Sequence, residues 1–125
     1  MNAKLLISAL LFVCIDFFYL SSISGYFNKQ VSRIQGSPLT LEPYSTILCY
    51  IFLIFGLYYF ILRENRPIFD AFLFGLVIYM VYETTNKAIF KDWTWTTVLL
   101  DGVWGGILYA STTATTYYIY NNYLV

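Results

Sequence analysis

The sequence has no histidine and little charge of either sign. Lys and Arg together number 7, Asp and Glu together also number 7, and charged residues make up 11% of the chain. Without histidine, the chain lacks the commonest general base and the commonest metal ligand. The balanced charge leaves no basic patch for nucleic acid. We therefore expect no metal, no cofactor and no nucleic-acid partner.

Cysteine is also scarce, since Cys14 and Cys49 are the only two. Each lies inside an apolar run, and their spacing matches no CxxC motif or other metal-binding pattern. Because free cysteine is among the most buried residue types, we expect both to pack as small buried hydrophobes. They give no information about the redox compartment.

Long apolar runs dominate what is present, since 59% of the 125 residues are hydrophobic. A soluble domain of this size could not bury so much apolar surface. Four runs approach the roughly 20 residues that a membrane-spanning helix needs. We predict one domain, residues 1–125, with spans at about residues 5–23, 44–62, 67–90 and 95–120. A polar connection, residues 24–43, joins the first two spans and has room for a short interfacial helix.

Short turns after the second and third spans predict the arrangement of the helices. They favour an all-α, antiparallel four-helix bundle in the lipid bilayer, with both termini on the same side. Basic residues divide almost equally between the two sides, so the rule of positive cytoplasmic loops selects neither orientation. The protein is predicted to be integral to a membrane that the sequence does not identify. Aromatic residues near the span ends are typical of an interfacial belt: Tyr19, Tyr44, Tyr58, Tyr59, Trp93, Trp95, Tyr117 and Tyr118.

The third span ends in a polar block, residues 79–87, where apolar residues are expected. Tyr79, Glu83 and Asn86 recur at intervals of four and three residues, so they share one face of a helix. Lys87 follows Glu83 by one turn, in the order that favours an ion pair, and its long side chain can instead extend to the interface. Polar groups at membrane depth are costly, which makes this block the first candidate for a functional site.

Two further carboxylates are predicted at the depth of Glu83. Asp16 lies seven residues before the end of the first span, and Asp101 lies six residues after the start of the fourth. At about 1.5 Å per residue, all three carboxylates are roughly 9–10 Å from helix ends that face the same side. The candidate polar site comprises Asp16, Tyr50, Tyr79, Glu83, Asn86, Lys87 and Asp101.

The predicted layer has two interpretations. It can form a polar pocket that binds or conducts a small polar or cationic solute, or protons. Alternatively, its groups bond only to one another and lock the packing of the helices, as in a structural membrane subunit of a larger assembly. Catalysis ranks last, because no nucleophile–base pair can be named. Partners are then lipid, further copies of the chain or other membrane subunits.

The fourth span also carries a stripe of small residues at every fourth position, Gly102, Gly106, Ala110 and Ala114. Such a stripe lets another helix approach closely, either within the monomer or across a homodimer. Beside it, Ser111 and the threonines at 112–116 can bond to carbonyls of their own helix.

These residues resemble a known pattern. The elements are Asp16-x-x-Tyr19-Leu20, Tyr79-x-x-Tyr82-Glu83-x-Thr85-Asn86, Trp93, and Asp101-x-x-Trp104-Gly105. The pattern is similar to that of an uncharacterised family of small four-helix membrane proteins, a domain of unknown function. Glu83 stands where that family usually has Asp, and Tyr19 where it usually has Trp. The resemblance implies four membrane helices and supplies no activity or catalytic residues.

Overall fold

A computed structural model describes residues 3–37 and 42–124, and the described chain consists of four helices without strands. Helix α1 is Ala3–Gln35, α2 is Pro43–Leu57, α3 is Ile68–Ile89 and α4 is Trp95–Ile119. Two helices continue as short π-helical segments, α2 through Tyr58–Leu62 and α4 through Tyr120–Leu124. The predicted all-α class is confirmed.

Local signals in the sequence set the helix ends. The carboxylate of Glu42 accepts from two backbone N–H groups of the first turn of α2, at 3.0 and 2.7 Å, and Pro43 occupies the first helical position. The hydroxyl of Thr94 accepts from the N–H of Thr97 at 3.2 Å and caps α4. Gly36, with φ of 76°, ends α1 in the left-handed conformation that glycine adopts without strain.

The bundle is antiparallel, and its two ends are marked by contacts between distant residues. Lys4 donates to the side chain of Asn65 in the α2–α3 turn at 2.6 Å, and its ammonium lies 4.9 Å from the ring centroid of Tyr120. At the other end, Tyr26 of α1 contacts the hydroxyl of Thr97 at 2.8 Å. The prediction that both termini lie on one side is therefore confirmed.

Three helices are long and apolar enough to cross a membrane: Ala3–Gln35, Pro43–Leu62 and Ile68–Ile89. Helix α4, with 25 residues, is long enough but more polar. Helix α4 nevertheless buries more residues than α1, 11 compared with four, while Leu99, Val103 and Ile107 form an exposed apolar face. Asp101 and several threonines lie on the buried side of α4.

The polar stretch after residue 23 differs from the predicted connection. Helix α1 continues through it to Gln35, so that residues 24–35 are helical, and residues 38–41 lie outside the described part of the chain. Side chains of this stretch bind the start of α4, where Gln30 accepts hydrogen bonds from Thr94 and Thr97. These tertiary contacts stabilise polar turns that apolar patterning alone does not predict.

Helices α3 and α4 approach closely through two glycines that face each other. A Cβ built on Gly75 would collide with the backbone carbonyl oxygen of Gly105, and would lie 2.7 Å from the ring of Tyr109. A Cβ on Gly105 would overlap the side chain of Tyr79. Neither position therefore accommodates a side chain at the present distance between the helices.

The stripe of small residues on α4 is occupied within the monomer. Gly102 lies against a methionine side chain of α3, and a Cβ on Gly106 would lie 2.7 Å from a phenylalanine ring of the same helix. Ala110 and Ala114 continue the stripe and are half-buried. Gly102 and Gly106 thus allow α3 and α4 to pack closely within the monomer, which is the first of the two predicted alternatives.

The apolar core fills the half of the bundle nearer the termini and draws on all four helices. Phe12 is central, with its ring edge-on to Tyr50 at 6.2 Å and to Tyr109 at 5.4 Å between centroids. The hydroxyl of Tyr109 donates to the carbonyl of Leu53 at 2.9 Å. The fully or almost fully buried members are Phe12, Leu57, Ile61, Leu62, Ala71, Leu108 and Tyr109.

The prediction that both cysteines are buried is wrong, and the hydroxyls of α4 divide into bonded and unbonded groups. Cys14 and Cys49 are both exposed rather than buried, because they lie on outward faces of apolar helices. Ser111 bonds to a carbonyl of its own helix at 3.2 Å, whereas three fully buried threonines on α4 have no hydrogen-bond partner among the described residues. These are Thr112, Thr113 and Thr116, whose side chains are enclosed by the neighbouring helices.

Candidate functional site: a buried layer of carboxylates

Two hydrogen bonds join α1 to α4, and each helix supplies one carboxylate acceptor and one aromatic donor. The hydroxyl of Tyr19 donates to Asp101 at 2.9 Å, and the indole N–H of Trp104 donates to Asp16 at 3.0 Å. The two rings stack at 4.3 Å with an angle of 4° between their planes. Because each helix carries an aspartate three residues before an aromatic donor, the antiparallel pairing satisfies both carboxylates at once. We call these four residues the aromatic clasp.

Helix α2 joins the clasp through Asp16. The hydroxyl of Tyr50 donates to the second oxygen of this carboxylate, whose residue is only 5% exposed. Asp16 therefore accepts hydrogen bonds from α2 and α4 while it belongs to α1. One carboxylate thus fixes the relative positions of three helices.

Glu83 on α3 is fully buried, at 0% exposure, and only one of its oxygens has a donor. The indole N–H of Trp93, in the α3–α4 turn, donates to Oε1 at 2.8 Å. Oε2 has no hydrogen-bond donor in the described part of the chain. Asp101 lies within hydrogen-bonding reach of Glu83, so two carboxyl groups meet at the end of the clasp.

Among the described residues, no basic side chain forms an ion pair with this layer. In residues 3–37 and 42–124, the ion pairs are Arg63 with Glu64 and Arg66 with Asp70, both at the opposite end of the bundle. The donors to the three carboxylates are instead neutral hydroxyls and indoles. Burying several carboxylates without a counter-charge is strongly unfavourable.

Of the three remaining predicted site residues, one lies near the carboxylates and two do not bond to them. Tyr79 is half-buried and lies within electrostatic range of Asp16 and Asp101. Asn86 is half-buried, and its side chain forms no hydrogen bond with the described residues. The ammonium of Lys87 lies 5.6 Å from the ring centroid of Trp95.

Of the two alternatives for Lys87, the ion pair with Glu83 is absent from the described part of the chain. Glu83 points into the bundle beneath the indole of Trp93, where its surface is fully covered. Lys87 lies one turn nearer the helix end and reaches the interface, the alternative that its long side chain allows.

Sequence reasoning missed the three aromatic donors. It assigned Tyr19 and Trp93 to an interfacial belt, and both instead donate to buried carboxylates. The available signal was the repeated spacing of an aspartate and an aromatic residue on α1 and α4. That spacing becomes informative only when the two helices are known to be antiparallel neighbours.

A shallow groove of about 380 Å³ runs between α1 and α4 on the outer surface. It is lined by Ile15, Phe18, Tyr19, Ser22 and Trp104. Tyr19 and Trp104 are also members of the clasp, so this groove borders the clasp.

The layer does not have the geometry of a metal centre. Within the described ranges, no three Asp, Glu or Cys side chains come close enough together to hold a metal ion. The carboxylates are arranged as a chain, Asp16 near Asp101 and Asp101 near Glu83. This arrangement suits a proton better than a multivalent cation.

The chain matches the model of a known protein family. Residues 2–118 match the model of the family described as Predicted membrane protein (DUF2177). No curated protein and no solved structure matches the chain.

Proposed function

The chain belongs to this family of membrane proteins, and we propose that it binds a proton within the membrane, shared between Glu83 and Asp101. The observation that carries the proposal is the unpaired oxygen of fully buried Glu83 beside a second carboxyl group. Two carboxyl groups can hydrogen-bond only when one of them carries a proton. A shared proton supplies the missing donor and removes one buried charge.

The surroundings of the pair favour exchange of this proton with one side of the membrane. The indole of Trp93 connects Glu83 to the α3–α4 turn. On the opposite side, the rings of Phe12 and Tyr109 belong to the apolar core. A proton that leaves the pair therefore meets apolar side chains toward the termini and a polar turn in the other direction.

Infrared spectroscopy tests this proposal directly. At neutral pH, the purified protein in lipid should show the C=O absorption of a protonated carboxyl group, and Glu83→Gln should abolish it. Glu64→Gln is the matched control, because it removes an exposed carboxylate at the opposite end and should leave the band unchanged. A wild-type spectrum without a protonated carboxyl band at neutral pH contradicts the proposal.

Proton conduction is a separate question that liposomes answer. The protein is reconstituted into liposomes that contain a pH-sensitive dye. The pH inside the liposomes is then followed after a step in the external pH. Faster equilibration with wild-type protein than with Glu83→Gln supports conduction through the layer. Equal rates limit the proposal to proton binding.

The second candidate is a structural membrane subunit of a larger assembly, in which the layer only locks helix packing. It is favoured by Asp16, which binds donors from two other helices. It predicts that the protein purifies with a fixed partner or as an ordered oligomer in mild detergent. A monodisperse monomer, measured by light scattering, contradicts this alternative.

A further inference from the structure

A second buried polar group without a partner lies at the start of α4. Gln30 of α1 is 1% exposed, and its Oε1 accepts from the backbone N–H of Thr94 at 3.1 Å and from the hydroxyl of Thr97 at 2.9 Å. The amide nitrogen Nε2 of the same side chain has no hydrogen-bond partner among the described residues. It carries two N–H donors, and a buried donor without an acceptor is unfavourable.

This amide lies at the positive end of a 25-residue helix. The N–H of Thr97 is bound by the hydroxyl of Thr94, and that of Val98 by the carbonyl of Thr94 at 3.2 Å. The N–H groups of Trp95 and Thr96 precede them and have no carbonyl acceptor within the helix. Donors of the side chain and of the backbone are thus brought together at one helix terminus.

One basic side chain lies beside the same terminus, and two more are close to it in the sequence. The ammonium of Lys87 lies 5.6 Å from the ring of Trp95, a residue that is 63% exposed. Lys29, next to Gln30 in the sequence, and Lys91, in the turn before α4, are both exposed. The one acidic side chain of that turn is Asp92, and the carboxyl groups of Glu83 and Asp101 are buried within the bundle.

The depth of this terminus is that of lipid headgroups. Helix α3, which is apolar enough to span, ends at Ile89, and α4 begins at Trp95 on the same side. An anion that meets the protein here from the bilayer is the phosphate of a membrane lipid. Helix N-termini and basic clusters next to spanning helices are both known to suit such groups.

We propose that Gln30 and the N-terminus of α4 bind the phosphate group of an anionic membrane lipid. A phosphate oxygen accepts from Nε2 of Gln30 and from the free N–H groups of the first turn, while Lys87 balances the charge. The site is separate from the carboxylate layer and does not depend on proton binding there.

Gln30→Glu tests the site with little change of shape. The carboxylate keeps an acceptor for Thr94 and Thr97, and the helix N-terminus offsets part of the cost of burying its charge, so we expect the variant to fold with lowered stability. It also replaces the unpaired donor by a negative oxygen. Phosphatidylglycerol binding should fall at least about tenfold, because like charges a few ångströms apart repel strongly in a protein.

The measurement is native mass spectrometry of the purified protein after exposure to equal amounts of phosphatidylglycerol and phosphatidylcholine. Wild type should retain the anionic lipid preferentially, and Gln30→Glu should lose that preference. Gln35→Glu is the matched control, since it adds the same charge at an exposed position of α1 and should retain the preference. Equal retention by wild type and Gln30→Glu overturns the proposal, as does an equal loss in Gln35→Glu.

Lys87→Gln keeps the proposal testable if Gln30→Glu does not fold. This variant should bind phosphatidylglycerol several-fold more weakly, and undiminished binding overturns the proposal. Inorganic phosphate is the competitor that separates a lipid from a soluble anion. Retention of the lipid in millimolar phosphate supports a lipid site, whereas its complete displacement rejects the lipid as the ligand.

Discussion

Gly75 offers the sharpest test of how α3 and α4 pack. A Cβ at this position would overlap the carbonyl oxygen of Gly105 and lie 2.7 and 2.8 Å from two carbons of Tyr109. Comfortable separation between carbon atoms is about 3.5–4.0 Å. Because the nearest obstacle is backbone, no rotation of a side chain relieves the overlap. In Gly75→Ala, α3 and α4 must move apart by about 1 Å or more at this point.

The magnitude follows from two opposing contributions. Replacing glycine by alanine in a helix stabilises it by about 0.8–1.0 kcal/mol, because alanine loses less backbone entropy. Overpacking a tight interface costs about 1–3 kcal/mol, and more when backbone must move. Since Gly75 meets backbone, we expect the cost to exceed the gain. Gly75→Ala should lower the free energy of unfolding by about 2 kcal/mol.

Thermal or denaturant unfolding in one detergent measures this effect by circular dichroism. Gly25→Ala is the matched control, because Gly25 also lies in a helix and a Cβ there has nothing within 4 Å. It should be neutral or stabilising by up to about 1 kcal/mol. If Gly75→Ala proves as stable as Gly25→Ala, the close approach of α3 and α4 at this glycine is refuted.

Three further outcomes follow from individual hydrogen bonds. Tyr19→Phe keeps the stacked ring and removes one hydrogen-bond donor of the clasp, so the free energy of unfolding should fall by about 0.6–1.7 kcal/mol. An unchanged free energy of unfolding would contradict the hydrogen bond from Tyr19 to Asp101. Trp93→Phe leaves Glu83 without its indole donor and should cost about 1–3 kcal/mol; a smaller loss than in Tyr19→Phe would argue against that contact. The hydroxyl and N–H of Ser45 lower the pKa of Glu42, so the cap of α2 is complete above the ordinary glutamate pKa and is lost as pH falls through the lowered value. The amide signal of Ser45 in NMR should titrate with a midpoint below the ordinary value, and one at or above it would contradict this cap.

The apolar pattern of the sequence was sufficient to predict the class of the protein and the direction of its helices. Length and hydropathy alone require spanning helices, and the two short turns require antiparallel neighbours. From these, simple helix geometry predicted that Asp16, Glu83 and Asp101 lie at a common depth. The hydrogen bonds from Tyr19 to Asp101 and from Trp104 to Asp16 agree with a common depth for these two aspartates.

Only the tertiary structure decided which partner each of these groups has. Lys87 is one turn from Glu83 in the sequence and yet lies over Trp95, whereas Trp93 turns inward to bind Glu83. The extension of α1 to Gln35 likewise depends on bonds to α4, from residues more than sixty positions away. Periodicity specifies the face of a helix on which a side chain lies. The rotation and separation of the neighbouring helix, which Gly75 and Gly105 set here, determine what that side chain meets.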